Sequence, residues 1–307
     1  MRFLNRVTCD PRIPKMRKSS APFLSGDSFM HISDHVFLRE FDLAYLNSLL
    51  AKVQKEIETK RQTLFIEVSA LERNEVAEKI LNWAADSSKY NFSNLNLLIH
   101  NGDRIPQKSF FDFLIRCGLN VYSVNTTEEN SGVKPLPIGL ENRHLKANGV
   151  GRRYKIQQEE IFRVNRSTGH KNDLFASFNV ATNTSERSKA KIDILKYGYI
   201  FTEPKLTTKK YQRCVNNSRF VVSPPGNGID CHRTWEAIYL GAIPIVLKQC
   251  LSKELINLFP IIAVSEWGEF IEIGSREREE LVLQFDGRKF PAMSIEYWRC
   301  LLNSPGE

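Results

Sequence analysis

Apolar residues in the first half of the chain follow two alternating rhythms. Over Leu43–Glu58 and Glu72–Ala85 they return every three or four positions, with Val76, Ile80 and Trp83 on one face, which predicts helices. Over Thr63–Val68 (TLFIEV), Leu95–His100 (LNLLIH) and Asn120–Val124 they run together in short stretches, which predicts buried strands. Pro106 opens a further helix to Cys117, since the N–H that proline lacks is unpaired in a first helical turn anyway. Parallel strands need crossovers, so this strand–helix alternation predicts a mostly parallel sheet with helices on its faces.

A second series of the same kind follows. Strands are predicted at Asp173–Phe178, Tyr199–Phe201, Arg219–Ser223, Ala242–Leu247 and Ile261–Val264. Helices are predicted between them at Ser185–Lys196, Thr207–Asn217, His232–Leu240 and Ser252–Leu258, then at Trp267–Ile273, Arg276–Gln284 and Ser294–Leu302. From about residue 143 to 170 the chain is basic, contains glycine and lacks apolar spacing, which marks a link. Residues 1–30, with Pro11, Pro14, Pro22, Gly26 and many basic side chains, read as an irregular arm. The expectation is an α/β chain of two Rossmann-like domains, residues 31–150 and 151–307, facing a cleft.

Composition adds little to the fold and more to the partner. With 42% hydrophobic and 25% charged residues, the chain of 307 residues has the make-up of a folded protein. A net charge of +8 suits a polyanion: nucleic acid, an anionic membrane surface or a nucleotide diphosphate. Arg2, Arg6, Arg12, Lys15, Arg17 and Lys18 form the densest basic run, read as a solvated arm with peripheral membrane or acceptor contact as the alternative. No basic stretch is interleaved with aromatics, so a nucleic-acid partner is not expected. The six cysteines are scattered, without metal-ligand spacing, and suit a reducing compartment. The N-terminal stretch has no apolar core of a signal peptide, and no run approaches the roughly 18 apolar residues of a membrane span. These features predict a cytoplasmic protein. The Asn-X-Ser/Thr sequons at Asn91, Asn125, Asn165, Asn183 and Asn216 then read as chance matches.

Phe220–Lys248 carries the chemistry: an apolar strand, Ser223-Pro224-Pro225-Gly226-Asn227-Gly228, a helix, Gly241 and another strand. A Gly/Pro loop between strand and helix allows close approach of a ligand, and the helix behind it offers free N–H groups to an anion. Arg233, in the first turn, has the fork that matches two phosphate oxygens. Glu236, at i+3 on the same face, has the carboxylate that would accept ribose hydroxyls. His232 and Asp230 stand beside them, either for phosphate or sugar or as helix caps.

This segment resembles the nucleotide-sugar region of exostosin-like glycosyltransferases. The likeness rests on Ser223-Pro224, Gly226, Arg233, Trp235-Glu236-Ala237 and Gly241-x-Ile243-Pro244-Ile245-Val246, about 30 residues in all. It implies a GT-B arrangement, a nucleotide-diphosphate sugar held mainly by the second domain, Glu236 on the ribose, Arg233 on the diphosphate, and inverting transfer to a hydroxyl of a glycan or other acceptor. The first half departs from the animal exostosins, so their acceptor chemistry is not carried over.

Three further stretches are candidates. His100-Asn101-Gly102-Asp103 leaves a predicted strand at its carboxyl end, where open α/β sheets bind ligands; Asp103 is the first candidate for the base that takes the acceptor proton and His100 the second. Leu136–Asn142 is a Pro/Gly turn able to present Glu141 or Asn142. Phe178–Arg187 is a strand-to-helix loop that brings Arg187 to assist Arg233 as negative charge develops on the leaving diphosphate. No Asp-X-Asp occurs, so arginines and helix ends are expected to replace a metal, and no other cofactor is expected. The competing reading is a non-catalytic α/β module that binds polyanions or nucleic acid.

Overall fold

The protein, described here from a computed structural model, is placed over residues 17–86, 90–127, 129–145, 172–285 and 288–304. It is a mixed α/β molecule with two parallel sheets of Rossmann-like build. The link expected at 143–170 lies almost wholly outside the described residues.

After α1 (Gly26–Ile32), the first sheet is assembled from β1 (His35–Phe37), α2 (Leu43–Glu56), β2 (Gln62–Glu67), α3 (Val68–Leu71), α4 (Asn74–Ala85), β3 (Leu95–His100), α5 (Lys108–Arg116), β4 (Asn120–Ser123) and β5 (Lys134–Pro135). α2 begins where Asp42 accepts the Tyr45 N–H at 2.7 Å, and it buries Leu46, Leu49, Leu50 and Val53 at helical spacing. The five strands lie side by side in chain order. Right-handed crossovers then carry the connecting helices to one face of the sheet. The opposite face is covered by α1 and by the last helix of the chain, α12 (Ile295–Asn303). Phe29 packs edge-on to Trp298 at 5.7 Å, and Asn96 Nδ2 on β3 donates to Leu302 O at 2.7 Å.

The second sheet is made from β6 (Asn172–Phe175), α6 (Thr184–Lys196), α7 (Thr208–Asn216), β7 (Ser218–Val222), α8 (His232–Tyr239), β8 (Ile243–Leu247), α9 (Lys253–Leu258) and β9 (Ile262–Val264), followed by α10 (Trp267–Ile271) and α11 (Ser275–Leu283). Its strands run β6-β7-β8-β9, and Ala176 bridges Phe201 in parallel beyond β6. The chain therefore leaves β6 to one side through α6 and returns to the other side through α7, reversing direction between β6 and β7.

Two features differ from the sequence reading. Residues 17–30 are not an irregular arm. Arg17 is buried and donates to Glu67 Oε1 at 2.8 Å, Leu24 N–H donates to Tyr239 Oη at 2.9 Å, and α1 is enclosed. These partners lie 50 and 215 positions away, so no local pattern announces them. The tail from Ser294 onward, counted with the second unit on sequence, returns to the first through α12. Buried apolar side chains from both sheets accordingly share one large cluster, beside a smaller one of Phe175, Val215, Val221, Ala237 and Ala242. Among the described residues no helix is long and apolar enough to cross a membrane.

Candidate functional site

The reversal between β6 and β7 separates the two loops that leave their carboxyl ends, and open α/β sheets bind ligands at such a point. One loop brings Phe178 and Asn179 and ends in α6, which Asn183 caps by accepting the Glu186 N–H at 3.3 Å. The other runs from Ser223 to Cys231 and ends in α8. Asn183 also ties the two together, donating from Nδ2 to Gly226 O at 3.1 Å. Within the second loop, the Gly226 N–H donates to Gly228 O at 3.0 Å, leaving Asn227 exposed at the tip. Ser223 Oγ lies 2.9 Å from Thr234 Oγ1, and the Cys231 thiol donates to Pro224 O at 3.5 Å, so Ser223 and Pro224 fasten the base of the turn to α8.

Arg187 and Arg233 come together at this point from the first turns of α6 and α8. Their guanidinium carbons lie 6.0 and 5.7 Å from the centroid of the Phe178 ring. Arg187 is 5% exposed and donates to two carbonyls, Pro225 O from Nε and Asn179 O from Nη1, each at 2.8 Å. A Cβ on Gly226 would lie 2.9 Å from Arg187 Nη2, so a larger residue there would make this guanidinium shift. Among the described residues neither guanidinium has a carboxylate within ion-pairing distance, and Arg233 Nε is buried without a hydrogen-bond partner. Burial, helped by the charge on Arg233, pushes Arg187 down to about 10. Burial acts on Arg233 in the same direction, but Tyr211, Cys231 and Glu236 around it outweigh that and raise it. Glu236 stands on the Arg233 face of α8, with Oε2 accepting from Tyr211 Oη at 2.9 Å.

The two residues on either side of Cys231 turn the other way, toward the first sheet. Asp230 is buried; Oδ2 accepts the Ile138 N–H at 2.8 Å and Oδ1 accepts Trp235 Nε1–H at 2.9 Å. Burial pushes its carboxyl up to about 7 against these two donors. It does not cap α8, whose N-cap is Cys231. His232 Nδ1 lies 2.7 Å from Gly139 O, and its Nε2 lies 3.5 Å from Glu141 Oε2. Asn125, in the left-handed region at φ 55°, bridges the two units: it donates to Gly102 O at 3.0 Å and accepts the Asp230 N–H at 3.0 Å. A Cβ on Gly228 would lie 2.8 Å from Asn125 Oδ1.

At the end of β3, Asp103 is exposed and His100 is enclosed. His100 Nδ1 accepts the Asn101 N–H at 2.8 Å, so Nε2 carries the hydrogen and donates to Pro137 O at 3.1 Å. Burial pushes this imidazole down to about 4, and both its nitrogens are engaged within the protein.

The arrangement brings Arg187, Arg233, Glu236, Ser223, Pro224, Gly226, Asn227 and Gly228 to one place and turns His232 and Asp230 to the seam with the first unit. Sequence reading gave no role to Tyr211, which stands in no recognisable motif, and passed over Asn125 as a chance sequon. The only local sign of Asn125 is an asparagine immediately after a strand, a residue type that tolerates positive φ. Two sequon asparagines, Asn125 and Asn183, use their side-chain nitrogens inside these loops.

A family model described as the RXYLT1 C-terminal domain matches residues 178–289, from Phe178 to beyond α11. A search of curated proteins gives no match. The matched stretch covers a little over a third of the chain, includes Arg187, Arg233 and Glu236, and supports a glycosyltransferase relationship.

Proposed function

We propose that the protein is a GT-B-type glycosyltransferase that moves a sugar from a nucleotide-diphosphate donor to a hydroxyl of a glycan or other acceptor, with inversion and without a metal ion. One observation carries this reading: two guanidiniums crowd over Phe178 at the switch point of the second sheet, neither in an ion pair among the described residues, with Glu236 acting on Arg233 from beyond ion-pairing distance. Two like charges held together in a partly dry place are costly unless an anion joins them. A diphosphate does so with the bidentate geometry that arginine favours. Glu236, with one oxygen steadied by Tyr211, is placed to receive the ribose hydroxyls.

As the anomeric bond breaks, charge grows on the diphosphate, and Arg187 and Arg233 offset it with little reorganisation because Arg187 is already pinned by Pro225 O and Asn179 O. A divalent cation in the same place would face both guanidiniums, which favours the metal-free form of the reaction. The acceptor enters from the loops of the first sheet, where Asp103 is exposed. Inversion follows from the family resemblance, as a single displacement by the acceptor oxygen.

A screen of nucleotide sugars in EDTA, read by released nucleoside diphosphate, tests the reading. Release from one donor series is expected. No release from any of them, together with RNA or DNA binding that falls steeply with salt, would support the non-catalytic polyanion module instead.

A further inference from the structure

His232 and Arg233 are neighbours in the first turn of α8, yet they face opposite units. Arg233 turns to Phe178, while His232 meets Gly139 and Glu141 of the first unit. A carbonyl only accepts, so the 2.7 Å contact with Gly139 O fixes the hydrogen on Nδ1 and leaves the lone pair of the neutral ring on Nε2. The orienting carbonyl is itself held. Gly139 has φ 69°, a Cβ there would lie 2.4 Å from Leu24 O, and the flanking Ile138 and Leu140 N–H groups donate to Asp230 and Leu24. Nε2 faces Glu141 Oε2 at 3.5 Å, with the two side chains 33% and 20% exposed, so a hydroxyl can reach the pair from solvent. The other Glu141 oxygen accepts the Asn142 N–H at 2.9 Å, which keeps the carboxylate in place. A ring of fixed tautomer, an accessible lone pair and a carboxylate beside it form the base half of a hydroxyl-activating arrangement.

Resting on the transferase reading above, we propose that His232 is the general base of the reaction and that Glu141 is its positioning and charge-balancing partner. The acceptor oxygen bonds to the anomeric carbon as its proton passes to His232 Nε2. The bond from that carbon to the diphosphate breaks, and its electron pair leaves with the nucleoside diphosphate between Arg187 and Arg233. The imidazolium faces Glu141 until the proton passes to solvent. Asp230 and His100 are the other titratable groups that act on this ring, and Arg233 is the adjoining cation.

His232→Asn separates the two roles of the ring, because its amide keeps an N–H where Nδ1 meets Gly139 and has nothing in place of Nε2. With UDP-, GDP- and ADP-sugars as probes and water as acceptor, kcat is expected to fall about 100-fold or more, the usual worth of a general base. KM, nucleoside-diphosphate affinity and melting temperature should hold, and the acid limb of the kcat profile should vanish. Glu141→Gln should lower kcat, by less than H232N does, with KM and nucleoside-diphosphate affinity unchanged. Near wild-type kcat in H232N overturns the assignment, as does loss of kcat in Asp103→Asn alone. Should H232N fail to fold, E141Q decides: a lowered kcat with unchanged KM supports the assignment and an unchanged kcat overturns it. If the wild-type chain turns over no nucleotide sugar, the transferase reading fails and this assignment with it. Turnover with an unimpaired H232N sinks the assignment alone.

Discussion

The carboxyl ends of the two sheets are built from similar side chains and settle their polar groups in opposite ways. At the first sheet the bonds run from one side chain to the next, leaving Asn101 Nδ2 buried without a partner among the described residues. His100 is held by Asn101 and Pro137, Asn142 links Asn101 to the Asp27 N–H, and the Asp27 carboxylate accepts the Arg143 N–H. Gly26 is so tight against Asn101 that a Cβ would lie 1.5 Å from Oδ1. At the second sheet two cations share one aromatic ring, and Arg233 Nε has no partner. A hydrogen-bonded network rigidifies a scaffold, whereas two like charges held together at a switch point favour an anionic ligand. On the proposed reading the first edge presents the acceptor and the second binds the donor.

The largest effect that would break this contrast is in ligand affinity. Arg233→Met should weaken nucleoside-diphosphate binding by about 3 kcal/mol, more than roughly 100-fold in Kd, as the loss of charged hydrogen bonds predicts. The free protein should change little in melting temperature, because the attraction of Arg233 to Tyr211 and Glu236 is lost along with its repulsion of Arg187; a large drop would mean that Arg233 is a structural cation. Next, Asn125→Ala should cost about 2 kcal/mol in denaturant unfolding, from the unpaired Asp230 N–H and the positive φ imposed on alanine. An unchanged midpoint would show that the seam does not depend on this bridge.

A third prediction uses pH. Asp230 is raised to about 7 by burial, so the native state binds the extra proton, and stability from this group is lost as pH rises from about 4 to 7. His100 is lowered to about 4 by burial, so its contribution is lost as pH falls from 6.5 toward 4. The two slopes oppose each other in one window. Relative to wild type, Asp230→Asn should gain melting temperature as pH rises and His100→Gln should gain it as pH falls, each by on the order of 3 °C. Parallel curves would contradict the burial of both groups. The smallest effect is expected from Tyr211→Phe, which frees one Glu236 oxygen and should weaken nucleoside-diphosphate binding by about 1 kcal/mol, read by titration.

Local order was written plainly in the chain. The strand read as Leu95–His100 is found with the same ends, and α8 and α6 differ from their expected spans by one residue. Arg233, Glu236 and Arg187 were legible because a strand, a Gly/Pro loop and a first helical turn place side chains by local rules. What escaped depends on distant partners. β1 has three residues and β5 two, one of them Pro135, too short for any period. Arg17 looks like a tail cation until Glu67 is beside it. Asp230 suited either a cap or a ligand on sequence and instead holds Ile138 and Trp235. Tyr211 reaches Glu236 only because α7 packs beside α8, and His232 acquires its tautomer only from Gly139, 93 positions earlier.

Calorimetric titration of nucleoside diphosphates into the wild-type chain and R233M, both in EDTA, tests the central claim most directly. Saturable one-to-one binding of at least one nucleoside diphosphate to the wild type, lost in R233M while D103N binds normally, is the predicted result. Equal affinity in wild type and R233M, or no heat from any nucleoside diphosphate with a folded protein, would contradict it.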